Sequence, residues 1–345
     1  MTLPTPLVLK GAPGSPYTRK MVALLRYRRI PYRSLVSGSP LLAGLPVPKV
    51  ELLPTFYLPD AEGRISAATD STPLIRRFED AFKGRQARPA DPAVAFLDSL
   101  LEDYADEWLT KAMFHYRWHF ASDIHKAGDI LPRWRNLCAT DVQIAVMNQA
   151  FSRRQIERLY VVGSNPDTAA TIEASYARFL DAFDAHLAVS PFLMGERPGA
   201  SDFAVYGQLT QLTHFDPTPE ALTLERAPRV YAWVDLVDDL CGLEPVDPQW
   251  MRRDAIPATV INLLREVART YVPVMLANAR ALMAGAKTLR TEVDGVTWVQ
   301  QAFPYQGKCL RWLRDEFAAL GPRERQVVDG VLEQCGCAAL VHEVL

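Results

Sequence analysis

The chain has 345 residues, of which 49% are hydrophobic and 23% charged, and its formal net charge at neutral pH is −2. These values are typical of a globular protein with a buried core. The nearly balanced charge gives no electrostatic reason to expect nucleic acid or an anionic membrane as a partner. No uninterrupted apolar run is long enough to cross a bilayer, so we expect no membrane-spanning segment.

The five cysteines do not indicate a disulfide framework, because their number is odd and their spacing is wide. The first residues lack the basic and then apolar pattern of a secretion signal. We therefore expect reduced thiols and a cytoplasmic protein.

The first predicted helix begins at Ser15, directly after a short apolar strand over 7–9 and a turn with two glycines. Serine is a favoured N-cap, and Pro16 is well tolerated at the first helical position. The basic residues of this helix, Lys20 among them, are expected to face solvent. A hydroxyl at the positive end of a helix either only caps the helix or also stabilises an anion such as a thiolate. This segment alone leaves both interpretations of Ser15 open.

A second strand is predicted from residue 32, and a third over 50–58 that Pro54 interrupts. A cis peptide bond between Leu53 and Pro54 resolves that conflict. A short returning strand over 64–66 and a helix that begins at Asp70 complete the unit. The order of these elements predicts an α/β thioredoxin-like domain over residues 1–83, followed by a polar linker.

The remaining chain is mostly helical. Apolar residues at helical spacing predict helices over 94–120, 141–160, 167–188, 202–212 and 227–240, which make an all-α domain over residues 92–245. Residues 246–345 form a further extension, with a β-hairpin near 288–301 whose turn is Asp294-Gly295. The helices predicted in this extension cover 257–284, 305–320 and 323–334.

Four motifs in this order resemble those of the glutathione S-transferase superfamily, and the resemblance covers residues 7 to about 243. They are Ser15-Pro16-Tyr17 at the first helix, Leu53-Pro54-Thr55, the pair Asp70-Ser71, and the helix-start motif of the helical domain within 191–209. The chain departs from the family pattern at Gly199, where the family has a hydroxyl residue that caps the buried helix. Glycine is a tolerable N-cap but has no side-chain oxygen.

The resemblance implies a glutathione site and a dimeric enzyme. Ser15 would donate a hydrogen bond to the glutathione sulfur, and the thiolate, not Ser15, would attack a small hydrophobic electrophile. The residues implied to hold glutathione, the co-substrate, are Leu53, Pro54, Asp70, Ser71 and Tyr17. Tyr17 is also the second choice as hydroxyl donor. The resemblance further implies a homodimer.

The resemblance places the acceptor pocket against the first long helix after the linker, where Trp108, His115, Tyr116 and His119 would line it. Aromatic residues at helical spacing are equally consistent with core packing. His115 and His119 are four residues apart, a spacing that can bind a metal, but no third ligand is evident in the sequence. We therefore predict no metal site.

Two other functions remain open at this stage. The extension could make the chain a non-catalytic binding or scaffold protein that keeps the fold. A glutathione-dependent dehalogenase, isomerase or ether-cleaving enzyme is the other alternative. Serine at position 15 argues against disulfide exchange, because only a cysteine forms the mixed disulfide.

Overall fold

A computed structural model describes residues 3–36, 38–246 and 249–344. Residues 1, 2, 37, 247, 248 and 345, which belong to the predicted segments, lie outside the described residues. Among the described residues, no helix combines the length and the apolar character needed to cross a membrane.

The N-terminal unit is a four-stranded mixed sheet with one helix between the first two strands. Its elements are β1 Leu7–Lys10, α1 Pro16–Tyr27, β2 Tyr32–Leu35, β3 Thr55–Pro59, β4 Ile65–Ala68 and α2 Ser71–Ala81. The strand order is β2-β1-β3-β4; β1 pairs in parallel with β2 and antiparallel with β3. This arrangement confirms the thioredoxin-like prediction. The peptide bond between Leu53 and Pro54 is cis, and β3 begins after Pro54 instead of running through it.

The second part is all helical, as predicted. Its helices are α3 Pro92–Tyr104, α4 Thr110–His119, α5 Ala121–Arg133, α6 Asp141–Ile156, α7 Ala169–Leu187, α8 Ala200–Leu212, α9 Pro217–Arg226 and α10 Pro228–Val237. The helix predicted over 94–120 is broken by a π-helical turn, Ala105–Leu109, that joins α3 to α4. The sequence interpretation missed α5 and α9, where Gly128, Pro132 and Pro219 obscure the helical pattern.

The extension contains one long helix, a hairpin and shorter helices. Its elements are α11 Ala258–Met283, β5 Thr288–Val293, β6 Val296–Gln301, α12 Pro304–Ala318, α13 Pro322–Cys335 and α14 Ala339–His342. The hairpin has the predicted bounds. Asp294 and Gly295 both have positive φ, as the type I′ turn of a two-residue hairpin requires. One cluster of buried apolar side chains includes members of all three predicted segments, from Leu3 to Leu340.

The start of α8 shows how the chain replaces the missing cap at Gly199. The buried carboxylate of Asp98, on α3, accepts hydrogen bonds from the backbone N–H groups of Ala200 and Ser201 at 3.2 and 3.0 Å. Asp202 accepts from the N–H of Gly199 at 2.8 Å. A neighbouring helix therefore supplies the oxygen that the local sequence lacks.

Helix α8 also positions the N-terminus of α1. A side chain at Gly207 would place a Cβ atom only 2.4 Å from the Pro16 carbonyl oxygen. Glycine therefore allows the two helices to approach closely at the turn that carries Ser15.

Candidate functional site

Ser15 lies at the N-cap of α1 and is half-buried. Its hydroxyl oxygen accepts a hydrogen bond from the Thr18 N–H at 3.2 Å, which satisfies one of the unpaired donors of the first turn. Its O–H donates to the Leu53 carbonyl oxygen at 3.1 Å. The hydroxyl at the helix start therefore contacts the peptide unit that precedes the cis proline.

The loop before Ser15 is held by residues of the helical part. The Arg117 guanidinium, which pairs with Asp216 at 2.9 Å, donates to the Gly14 carbonyl at 3.1 Å. The Gln211 side-chain amide donates to the Pro13 carbonyl, also at 3.1 Å. These contacts hold the turn before Ser15 against α4 and α8.

Tyr17 points toward the π-helical turn. Its hydroxyl donates to the Asp106 carbonyl oxygen at 2.8 Å. Burial raises the pKa of Tyr17 well above its ordinary value, so the hydroxyl keeps its proton. The Tyr17 hydroxyl is thus hydrogen-bonded to the π-helical turn between α3 and α4.

Asp70 and Ser71 lie at the start of α2, but both are engaged by distant residues. Asp70 makes no side-chain bond to its own helix. Instead its carboxylate accepts a hydrogen bond from the Tyr305 hydroxyl at 2.8 Å and lies 3.5 Å from the Lys308 ammonium. Burial raises the pKa of Tyr305 far above its ordinary value, so this phenol remains a donor. Helix α12 of the extension therefore covers Asp70, which is the acidic end of the predicted glutathione site.

The prediction that Lys20 faces solvent is wrong, because its side chain is fully buried. Its ammonium lies 2.8 Å from Glu102 and 2.6 Å from Asp106, and it donates to the Ser71 hydroxyl at 3.3 Å. Burial by itself lowers the pKa of Lys20, but the carboxylates of Asp106 and Glu102 outweigh it and raise the pKa above its ordinary value. The α1 lysine thus joins α2 to the helical part through Ser71.

A cavity of about 360 Å³ lies between α2, α3 and α12, with Arg76, Glu102, Cys309 and Trp312 in its lining. Burial raises the pKa of the Cys309 thiol far above its ordinary value, which favours the protonated form over the nucleophilic thiolate. Ser15 does not line this cavity.

The four residues predicted to line an acceptor pocket lie on α4 and the π-helical turn before it. Trp108 is in the core: its indole N–H donates to the Ser175 hydroxyl at 3.1 Å and its ring packs on Trp298 of the hairpin. Tyr116 is also buried and stacks on Phe120. In this conformation neither ring presents a surface to a substrate.

His115 and His119 lie together, as their spacing indicates, and their rings stack with centroids 4.6 Å apart. His115 is buried, whereas His119 is exposed. A third residue capable of binding a metal, Glu173 on α7, has its carboxylate 3.2 Å from His115 Nε2. The sequence did not identify Glu173, because it is far along the chain and in a different helix.

Together, a thioredoxin-like sheet, a cis-proline loop beside a helix-capping hydroxyl, and an all-helical second part define the class of glutathione transferase folds. Residues 9–86 match the family described as glutathione S-transferase, N-terminal domain. Residues 153–236 match the family described as glutathione S-transferase, C-terminal domain. The chain belongs to the glutathione S-transferase superfamily.

Several solved structures are similar to this chain. One is a glutathione S-transferase from Rhodospirillum rubrum F11, with 16% identity, 72% of this chain and 98% of that chain covered, and a TM-score of 0.43. A glutathione transferase family member from Pseudomonas fluorescens Pf-5, with two glutathione bound, has 17% identity, coverage of 74% and 92%, and a TM-score of 0.39. A glutathione S-transferase from Methylobacterium radiotolerans JCM 2831, in complex with glutathione sulfonate, has 18% identity, coverage of 73% and 94%, and a TM-score of 0.39. No curated protein sequence matches the chain significantly.

Proposed function

We propose that this protein binds glutathione and activates its thiol for attack on a small hydrophobic electrophile. Membership in the superfamily supports a glutathione-related transferase function. The observation that carries the proposal is the 3.1 Å contact between the Ser15 hydroxyl and the carbonyl of Leu53. It brings together a hydrogen-bond donor at a helix N-terminus and the peptide unit proposed to pair with the cysteinyl part of glutathione.

The proposed chemistry follows from the properties of a thiol. A free thiol with a pKa of about 8.5 is mostly protonated at neutral pH. When glutathione is bound, the Ser15 O–H turns from Leu53 to the sulfur, and the α1 N-terminus adds its positive partial charge. The thiol proton leaves to solvent. The thiolate then forms a carbon–sulfur bond as the leaving group departs with its electron pair.

Leu53, Pro54, Asp70 and Ser71 are the residues proposed to hold glutathione, with Tyr17 at the border of the site. Asp70 suits the ammonium of the γ-glutamyl group, which requires an anionic partner. A cytoplasmic homodimer is part of the same proposal, and light scattering of the purified protein tests the dimer.

A second candidate function is a glutathione-binding or scaffold protein without turnover. The specific observation in its favour is that Tyr305 and Lys308 already bind the Asp70 carboxylate. A ligand ammonium has to displace both groups. Binding measurements separate the two candidates from turnover measurements.

The test is calorimetric titration with glutathione, combined with conjugation assays on a panel of apolar electrophiles. We expect binding by the wild type, binding at least about tenfold weaker for Asp70→Asn, and turnover reduced roughly 10²-fold or more for Ser15→Ala. Thr140→Ala, which removes the N-cap of α6 elsewhere in the chain, is the matched control for lost capping. No binding by the wild type at millimolar glutathione contradicts the first candidate, whereas binding without turnover favours the second.

A further inference from the structure

The cluster formed by His115, His119 and Glu173 has the composition and geometry of a metal site. One ligand atom from each of the three residues can be chosen so that all three lie within 4.8 Å of one another. The two histidines are one turn apart on α4, and Glu173 comes from α7, so two packed helices hold the three side chains. None of the three is among the residues proposed to bind glutathione.

The orientation of the buried histidine is fixed from behind. Ser164, which is itself buried, places its hydroxyl oxygen 2.8 Å from His115 Nδ1. Metal-binding histidines commonly use the second ring nitrogen in such a hydrogen bond, which fixes the ring and its tautomer. In the tautomer whose Nδ1–H donates to Ser164, Nε2 of His115 is the unprotonated nitrogen, and it lies 3.2 Å from the Glu173 carboxylate.

We propose that His115, His119 and Glu173 bind a divalent transition-metal ion of the Zn²⁺ class. Two imidazoles and one carboxylate match the donor set of zinc sites that keep one coordination position open. In a tetrahedral zinc site, neighbouring ligand atoms are about 3.3 Å apart, and His115 Nε2 and Glu173 Oε1 are already 3.2 Å apart. His119 is exposed, so this side of the proposed site faces solvent.

The donor atoms of the cluster also suit a cation. His115 and His119 each offer a ring nitrogen, and the Glu173 carboxylate supplies negative charge that favours a divalent ion.

The test is a zinc titration of untagged protein that has first been stripped with a chelator. We expect one Zn²⁺ per chain and an affinity more than about tenfold weaker for both His119→Ala and Glu173→Gln. His125→Ala removes another exposed histidine outside the cluster and should leave the affinity unchanged. Circular dichroism checks that each variant is folded.

A second measurement identifies the ligands. Co²⁺ substitution should give the visible absorption of a low-coordinate site in the wild type, and the bands should be lost in His119→Ala. Absence of wild-type binding at about 100 μM Zn²⁺ overturns the proposal. So does binding that survives both ligand variants but is lost when the exposed Cys138 and Cys241 are replaced by alanine.

Discussion

Two buried lysines show how neighbouring charges decide the state of a side chain. Lys20 has Glu102 and Asp106 within 2.8 Å, and its pKa is raised in spite of burial. Burial lowers the pKa of Lys111 to about 8, and the nearby carboxyl of Glu107 offsets this only in part. The charged form of lysine is therefore stabilised at position 20, whereas charging the lysine at position 111 costs free energy.

The Lys111→Met variant tests this difference through pH. The folded pKa of Lys111 lies below that of an unfolded lysine, so charging it costs stability at neutral pH, and the cost disappears as pH rises from about 8 to 10.5. We expect the variant to be at least as stable as the wild type at pH 7. Between pH 7 and 10 the unfolding free energy of the wild type should rise by up to about 3 kcal/mol relative to that of the variant.

Urea unfolding at several pH values measures this gap. Lys287→Met, at an exposed position, is the control for losing a lysine without burial. A gap that stays constant, or that moves in the opposite direction, contradicts the assignment of the lowered pKa to Lys111.

Among the elements, α12 has the largest consequence for the proposed site. Tyr305 and Lys308 bind Asp70 at the start of α2. The Lys308 ammonium also lies over the ring of Trp312, one turn further along α12, in a cation–π contact. Near its end, Glu316 accepts from the Ser99 hydroxyl of α3 at 3.1 Å. Helix α12 therefore joins the two family domains across the acidic end of the site.

The double variant Tyr305→Phe with Lys308→Met should strengthen glutathione binding, provided that the proposed function holds. A hydrogen bond to a carboxylate is worth about 1.5–3 kcal/mol, so freeing Asp70 should increase the affinity by about tenfold or more. Calorimetric titration measures the change. Arg311→Met, an exposed position on the same helix, should have no effect. An unchanged affinity means that α12 does not compete, and a weaker one means that its residues contribute to the ligand site.

At the scale of the whole molecule, aromatic pairs connect the extension to the helical domain. Trp298 of the hairpin packs on Trp108 with ring centroids 5.3 Å apart. Phe317 of α12 packs on Phe96 of α3 at 5.7 Å. Because these rings belong to one continuous core, we expect the extension and the family domains to unfold together. The predicted boundary near residue 246 remains a prediction.

Trp298→Ala tests this cooperativity. The side chain is fully buried, so we expect a loss of about 3–5 kcal/mol in the free energy of unfolding and a single transition for all probes. Far-ultraviolet circular dichroism and limited proteolysis of the C-terminal region should report the same midpoint. Val299→Ala, at the exposed neighbouring position, should change stability by less than about 0.5 kcal/mol. A separate early transition of the extension would show that it is an independent unit.

Features with a local cause could be predicted from the sequence. Asp294-Gly295 favours positive φ at both turn positions, so the hairpin was predicted with its correct bounds. The same holds for Ser15 as an N-cap, and for Asp70 at the start of α2. Helix α5 was missed because its glycine and proline suggest a loop, although packing against α4 and α6 stabilises the helix.

The sequence by itself determined the type of fold and most of its elements, though not α5 and α9, because turns, caps and apolar periodicity act over a few residues. Only the tertiary structure decided the partners of the polar groups. Tyr305 meets Asp70, and Glu173 meets His115, across long separations along the chain. The burial of Lys20 depends likewise on carboxylates from a distant helix. A buried charge is stabilised where folding brings an opposite charge close to it. A local sequence pattern does not show which distant residue will supply that charge.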